Sequence, residues 1–551
     1  MSLFGEHAYH KYTHLIVILS FAALYRMDVA WDPFMVYAYY VLTSTINPYF
    51  CRMPFTLKGR PFVLLCFFLG ALELWNVGCY TEQFTTDTTD RLRFSLDTLR
   101  FDTVFVTVGS ATRSFKVYND ASLPLKIEKI SIRSGAFSVF RLNVDGFSAP
   151  SKILKGVEIG AHDSIYVFLE VTIQPDQPLS ISPFVISDAI EFETNSNIQT
   201  VYLEAWGQNA NYIPDRYSKG SLALLSCNLQ EETWSDPKPY VIYGVLLIDS
   251  CTLRIPAGVR VYVHGGLVRT ANSIYNDGII YVLDHGRLSV EGTADRPVIF
   301  TTDRLEQELK DEWGAWSGIR IGQGSINNRI SYAEIRSAFV GIYADSASDL
   351  TVRNTRILNT ASSGLVGIHA RITAENSLFH SNGSHGIQLA YGGNYRIDYC
   401  TAVNFDNEAE ALSMNNAILR DPETNRIELY PLLANITNSI FYGSGKDEVD
   451  MVDLTEPKNP SFFQTNFTNC YIKAEDLLDP KNYPGFFDNC PGCIRAQSKD
   501  TVFLSIPKLD FRLDTNSVVN GKAKPIDRVL GDILGVRRHA TNPDIGCYEL
   551  K

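Results

Sequence analysis

The chain has 551 residues, enough for two or three domains, and its 45% hydrophobic and 20% charged residues are the balance of an ordinary folded protein. The formal net charge is −12 and no Lys/Arg block stands out, which excludes the electrostatic footprint of a nucleic-acid binder. Phe (31) and Tyr (28) are plentiful and Met (6) is scarce, a mix that with frequent Val, Ile, Thr and Asn favours strands over helices.

Apolar residues crowd the start of the chain. Two runs, 13–25 and 34–50, are each short for a membrane span of roughly 20 residues. A third, 61–72, follows Lys58 and Arg60. Read from Met53, the order is a positive region, an apolar core and a small residue at a cleavage point, the pattern of a secretory signal peptide. Residues 1–52 then read as an over-extended start; a multi-span anchor is the alternative.

The third run closes on Asn76-Val77-Gly78-Cys79 and drops into the polar stretch YTEQFTTDTTD. Asn76 to Cys79 resembles the lipobox of bacterial lipoproteins. That resemblance implies a signal peptide over 53–79, acyl chains on Cys79, and a protein held by lipid to the outer membrane and facing the cell exterior. Several acyl chains hold far more firmly than one. Residues 80–90 have the composition of a tether. Beyond Cys51, Cys66 and Cys79, seven cysteines remain (227, 251, 400, 470, 490, 493 and 547), so at least one stays free if the others pair within the chain. Cys490-Pro-Gly-Cys493 has redox spacing without a strand–helix context, and reads as a local disulfide or a short metal clip.

Residues 91–212 read as short strands. Alternation is clear in Ser114-Phe115-Lys116-Val117-Tyr118 and Leu125-Lys126-Ile127-Glu128-Lys129-Ile130, with turn residues Asn119, Asp120 and Pro124 between them. Further strands are expected at 164–173, 189–193 and 199–205, the pattern of a β-sandwich. The pattern FKVYND, PLKIEKI and ETNSNIQTVYLEAWGQ resembles immunoglobulin-like modules of bacterial surface proteins, which implies a spacer. Residues 213–236 are expected to be a linker.

From 237 to 551 the chain repeats itself. Tyr332, Asn354 and Asn376 are 22 residues apart, and Ile335, Ile357 and Phe379 keep the same steps. Gly-Ile pairs follow at Gly341-Ile342, Gly367-Ile368 and Gly386-Ile387, where glycine would allow the angles of tight corners. Such a period without a helical moment signals a stacked β-solenoid. Ile335, Ile357 and Phe379 should form an inward apolar ladder, and Asn354 and Asn376 the start of an amide ladder. Upstream stand I-P-A-G-V (255–259), L-x-V-x-G-T (288–293) and W-x-G-I (316–319), in that order. These motifs, with the tail PDIGCYEL, resemble right-handed parallel β-helix repeat proteins of the Gram-negative cell surface. The fold class expected is all-β: a sandwich followed by a right-handed parallel β-helix. Residues 304–312 (RLEQELKDE) read as a helix-like bulge, and PDIGCYEL as the cap of an open sheet edge.

Polysaccharide-cleaving β-helices work from one exposed sheet, where hydrolysis needs two carboxylates and a Ca²⁺-dependent lyase needs clustered oxygen ligands. The titratable candidates are Asp345, Asp349, Glu375, Asp398, Asp406, Glu408, Glu410, His369, His380 and His385. Asp406, Glu408 and Glu410 form the densest acidic patch, where regular coils give way to a loop, although such patches are mostly solvated turns. No ordered catalytic, cofactor or metal motif stands out. The expected role is binding, adhesion or antigen display at a cell surface, with glycan contact, marked by an exposed aromatic strip. The alternatives are a polysaccharide lyase or glycoside hydrolase working on one face, and a purely structural envelope component.

Overall fold

The computed structural model describes residues 83–550, apart from 106–109, 111, 174–183, 215–221, 270–273, 306–308, 406 and 422–425. The signal peptide, Cys79 and Asp406 therefore lie outside the described residues. Among the described residues there is no α-helix, and no helix long and apolar enough to cross a membrane.

Strict alternation builds the first part. In Leu125–Ile132 the residues Leu125 and Ile127 are buried while Lys126 and Glu128 are exposed, so one face of the strand enters a core. Two five-stranded sheets share that core. Phe94 and Phe115 come from one sheet and Phe101 and Phe192 from the other; the Phe94 and Phe192 rings lie 5.0 Å apart. Asn197–Gln208, antiparallel to Phe184–Thr194 and parallel to Thr98–Phe105, leads almost directly into Asn211–Ile213.

Asn211–Ile213 already belongs to the solenoid, which corrects the expected linker. It pairs in parallel with Tyr240–Tyr243, Leu222–Leu225 pairs with Val245–Ile248, and Glu231–Thr233 pairs with Thr252–Pro256. Ile213, Leu222–Leu225 and Glu231–Thr233 thus belong to a first coil. Three parallel sheets follow, here called A, B and C. Sheet A runs from Asn211–Ile213 to Ile494–Arg495, sheet B from Leu222–Leu225 to Val449–Val452, and sheet C from Glu231–Thr233 to Phe463–Thr468. Ile335, Ile357 and Phe379 stand in register in sheet A, wholly buried, as the expected apolar ladder.

The asparagine positions serve another purpose than a ladder. Tyr332, Asn354, Asn376, Tyr399, Asn438 and Asn469 turn the corner from sheet C to sheet A at φ between 48° and 54°. Asparagine tolerates this left-handed conformation. The Asn376 amide donates to the Gly531 carbonyl and the Asn438 amide to the Lys524 carbonyl, both at 2.7 Å, so these side chains hold the C-terminal segment and not each other. An amide contact between coils does occur elsewhere, from Asn466 to Asn435 on sheet C at 3.1 Å.

Register also replaces one Gly-Ile pair. Gly341-Ile342 and Gly386-Ile387 stack with Gly364-Leu365, whereas Gly367-Ile368 lies within a sheet B strand. The requirement at these corners is space and not backbone angle: a Cβ on Gly341 would lie 2.4 Å from the Gly364 carbonyl oxygen. In the expected helical bulge, the described residues 309–311 form a turn.

The closing segment is not an end cap. Pro543 to Leu550 lies on the outer side of sheet A, where the Cys547 amide donates to Thr401 Oγ1 at 3.0 Å and the Gly546 amide to the Asn438 carbonyl at 2.8 Å. Phe503, Phe511, Val519, Ile533 and Ile545 share a second core there with Tyr399, Ile440 and Tyr471. The last coil is covered instead by Leu477, Phe486 and Cys490, which join the solenoid interior. Cys227 and Cys251 form a disulfide between neighbouring coils, Cys490 and Cys493 form the local one, and Cys400, Cys470 and Cys547 are free and buried.

Candidate functional site

Along the strands of sheet C alternate side chains enter the interior and the others point outward. In Asp349–Arg353, Leu350 and Val352 are buried, leaving Asp349, Thr351 and Arg353 on the outer face. Parallel register stacks equivalent positions about 4.8 Å apart. Ser289, Arg329, Thr351, Thr373, Arg396, Asn435 and Asn466 therefore form one axial column across seven successive coils. Beside it run Asp349, Arg371, Asn394, Leu433 and Gln464. On the other side run Ser331, Arg353, Glu375, Asp398, Thr437 and Thr468.

Where sheet B turns into sheet C, a groove of about 500 Å³ follows the same axis. Ile326 marks one end and Ser461 and Gln464 the other, with Asp349, His369, Arg371 and Asn394 between them. His369 sits at φ 48°, its ring 4.9 Å from that of Tyr430. Its Nδ1 is 3.1 Å from the Tyr391 carbonyl oxygen and donates to it, so the neutral ring keeps its lone pair on Nε2. Asp349 has Arg371 at 3.8 Å.

The other carboxylates of this face are engaged. Glu375 is held by Arg353 at 2.7 Å and by Arg528 at 2.8 Å, and Asp398 also bonds Arg528. Burial pushes the Asp398 carboxyl up to about 6, against the pull of Arg528 and with help from Glu375 beside it.

Residues 227–357 match the family described as a pectate-lyase-like β-helix domain, and residues 317–471 the right-handed β-helix region family. The solenoid is a right-handed β-helix. No curated protein matches the chain. A protein of unknown function from Porphyromonas gingivalis W83 is similar over 24% of this chain and 51% of its own length, about half, at 14% identity and TM-score 0.16. The catalytic unit of a GH87 α-1,3-glucanase from Streptomyces thermodiastaticus strain HF3-3 is similar over 65% of this chain and 75% of its own, at 12% identity and TM-score 0.24.

On this β-helix Glu408 and Glu410 of the acidic patch lie away from the groove, at the corner between sheets A and B. Glu408 is exposed, while Glu410 faces His385, with 3.7 Å from its Oε2 to Nδ1. Asn407, just before Glu408, turns inward and donates to the Asn382 and Ser384 carbonyls. Asp345 is tied to Arg320 at 2.7 Å on sheet B. His380 is buried against Phe511 under the C-terminal segment, and burial lowers its pKa to about 4. Among the described candidates only Asp349 and His369 line the groove. Sequence reasoning missed Arg371, Asn394 and the Thr351–Thr373 column; the 22-residue steps from Asp349 and Thr351 could have found Arg371 and Thr373.

No aromatic side chain projects from the described outer face of sheet C, so the expected aromatic strip is not there. Tyr281 and Tyr343 on sheet B enclose Arg320, whose guanidinium is 5.2 Å and 4.8 Å from their centroids. Exposed Trp313 and Phe339 lie at the corner between sheets A and B. Asp249, Asp284 and His285 bring three possible ligand atoms within 4.8 Å of one another, but Asp284 and His285 are exposed and already paired at 3.0 Å.

Proposed function

We propose that the chain is an acyl-anchored cell-surface protein whose β-helix holds a polysaccharide without cleaving it. The glycan lies along the groove and the adjoining outer face of sheet C, and the sandwich acts as an immunoglobulin-like spacer between membrane and β-helix. One observation carries this reading: polar side chains recur coil after coil in straight axial columns beside a groove of the same direction. A polymer of repeating units meets a repeating set of partners there. Thr351 and Thr373 have no hydrogen-bond partner for their hydroxyls among the described residues, so both are available to a sugar hydroxyl.

Retention without cleavage follows from the carboxylates. Glycoside hydrolysis needs an acid and a second carboxylate at the scissile bond. Glu375 and Asp398 are occupied by arginines, and among the described residues Asp349 has no second acid beside it in the groove.

Binding of glycan oligomers to the chain from residue 80 onward, measured by calorimetry, tests this reading. Thr351→Val with Thr373→Val should weaken binding about tenfold, the loss of two ordinary hydrogen bonds, with melting unchanged. Unaltered affinity, or bond cleavage by the wild type, would reject it. The anchor is tested in cells: palmitate should label the wild type, and equal labelling of Cys79→Ala would reject lipidation.

A further inference from the structure

Three guanidinium groups on the outer face of sheet C have no close ion pair and no hydrogen bond among the described residues: those of the exposed Arg287, Arg329 and Arg396, the last acting on Asp398 only at longer range. The other outward charges on the strands from Arg287–Glu291 to Gly393–Asp398 are engaged. Glu291 pairs with Arg254 at 2.7 Å, Arg353 with Glu375 at 2.7 Å, and Arg371 lies 3.8 Å from Asp349. Glu375 and Asp398 are held by Arg528.

The unpaired groups are also ordered in space. Arg329 and Arg396 stand in one column with only Thr351 and Thr373 between them. Three coil steps separate their backbones by about 14 Å. Arg287 lies one coil before Arg329, in the neighbouring column. No carboxylate stands in the Arg329–Arg396 column. In a chain of net charge −12, this acid-free line is a local cationic track. Guanidinium is planar and always charged, and its donor fork matches the two oxygens of a carboxylate or sulfate.

We infer that the polysaccharide held on sheet C is acidic, its uronate or sulfate groups seated on Arg329 and Arg396 and the intervening sugar hydroxyls on Thr351 and Thr373. This rests on the glycan reading above and adds the charge class of the ligand.

The test is binding of the chain from residue 80 to matched pairs of probes. One pair is a galacturonate oligomer and its methyl ester; the other is a sulfated galactan oligomer and its desulfated form. Polyglutamate is the anionic probe that is not a glycan. At least one acidic probe should bind about tenfold tighter than its neutral partner, and the pair that does so tells uronate from sulfate. Arg329→Gln with Arg396→Gln should remove that tenfold difference and leave the neutral partner's affinity unchanged. Lysine at both positions should restore part of it, and Arg296→Gln, which removes an exposed arginine elsewhere, should have no effect. All three side chains are exposed, and equal melting temperatures verify that the variants fold. Equal binding of acidic and neutral partners, unmoved by the glutamine variant, overturns the acidic class and leaves the glycan reading standing. Binding of polyglutamate as tight as of the acidic glycans, or binding of no glycan, overturns both.

Discussion

Glu448 shows how far a single side chain is bent to the needs of the coil. It is wholly buried, and its carboxyl accepts the amides of Ala411 at 3.1 Å and Gly445 at 3.0 Å, closing the turn that follows the acidic patch. Burial outweighs those bonds and pushes its pKa up to about 8, with Glu410 adding to the rise. The folded value is above the ordinary 4.5, so the folded state holds the proton more tightly than the unfolded chain. The stabilisation is fully present below pH 4.5 and drains away as pH rises toward 8. Glutamine resembles the protonated form. Thermal unfolding across that pH window should show the wild type losing stability relative to Glu448→Gln as pH rises. Parallel profiles would mean that the carboxyl titrates normally.

Among the elements, the C-terminal segment is held by one buried cation. Arg538 donates to Asn376 Oδ1 at 2.7 Å and to the Gly546 carbonyl at 2.8 Å, pairs with Glu549 at 3.1 Å, and lies 3.8 Å over the Tyr399 ring. Breaking such a buried pair strands the partner charge, at a cost of about 3–5 kcal/mol. Arg538→Ala should therefore lower stability by that amount in urea unfolding and expose residues 500–550 to protease. A loss under about 1 kcal/mol would show that the apolar contacts of the segment suffice. This partnership was invisible in the sequence, since Asn376 and Arg538 are 162 residues apart. Asn376 read as a ladder rung because nothing local shows what covers a corner. The apolar ladder was legible for the opposite reason: Ile335, Ile357 and Phe379 recur at an unbroken step, and burial constrains them most. The first coil was missed because a terminal coil has only one neighbour. It leaves Leu222 and Leu224 exposed and offers Glu231-Glu232-Thr233 as a strand, a pattern indistinguishable from a linker. Likewise, Asp406, Glu408 and Glu410 looked like a cluster in sequence, yet the fold sends Glu408 to solvent and Glu410 to His385.

At the scale of the whole molecule, a stack of coils converts a sequence period into a surface period. Outward positions carry no hydrophobic pattern; the 22-residue step links Arg329, Thr351 and Thr373, and register adds Arg396, 23 residues on, to the same line. A linear polymer laid along that line can repeat its contacts at each coil, which gives avidity to individually weak bonds. Other exposed surfaces compete for the role: Tyr166, Tyr202 and Trp206 on the sandwich, and Trp313 and Phe339 at the corner between sheets A and B. Hydroxyl-radical footprinting with and without a bound glycan oligomer separates them most directly. Glycan contact along sheet C predicts protection of His369, Tyr391, Tyr430 and Leu433, with the sandwich aromatics, Trp313 and Phe339 oxidised as in the free protein. Protection of Trp206, or of Trp313 and Phe339, with His369 and Leu433 unchanged, would contradict it.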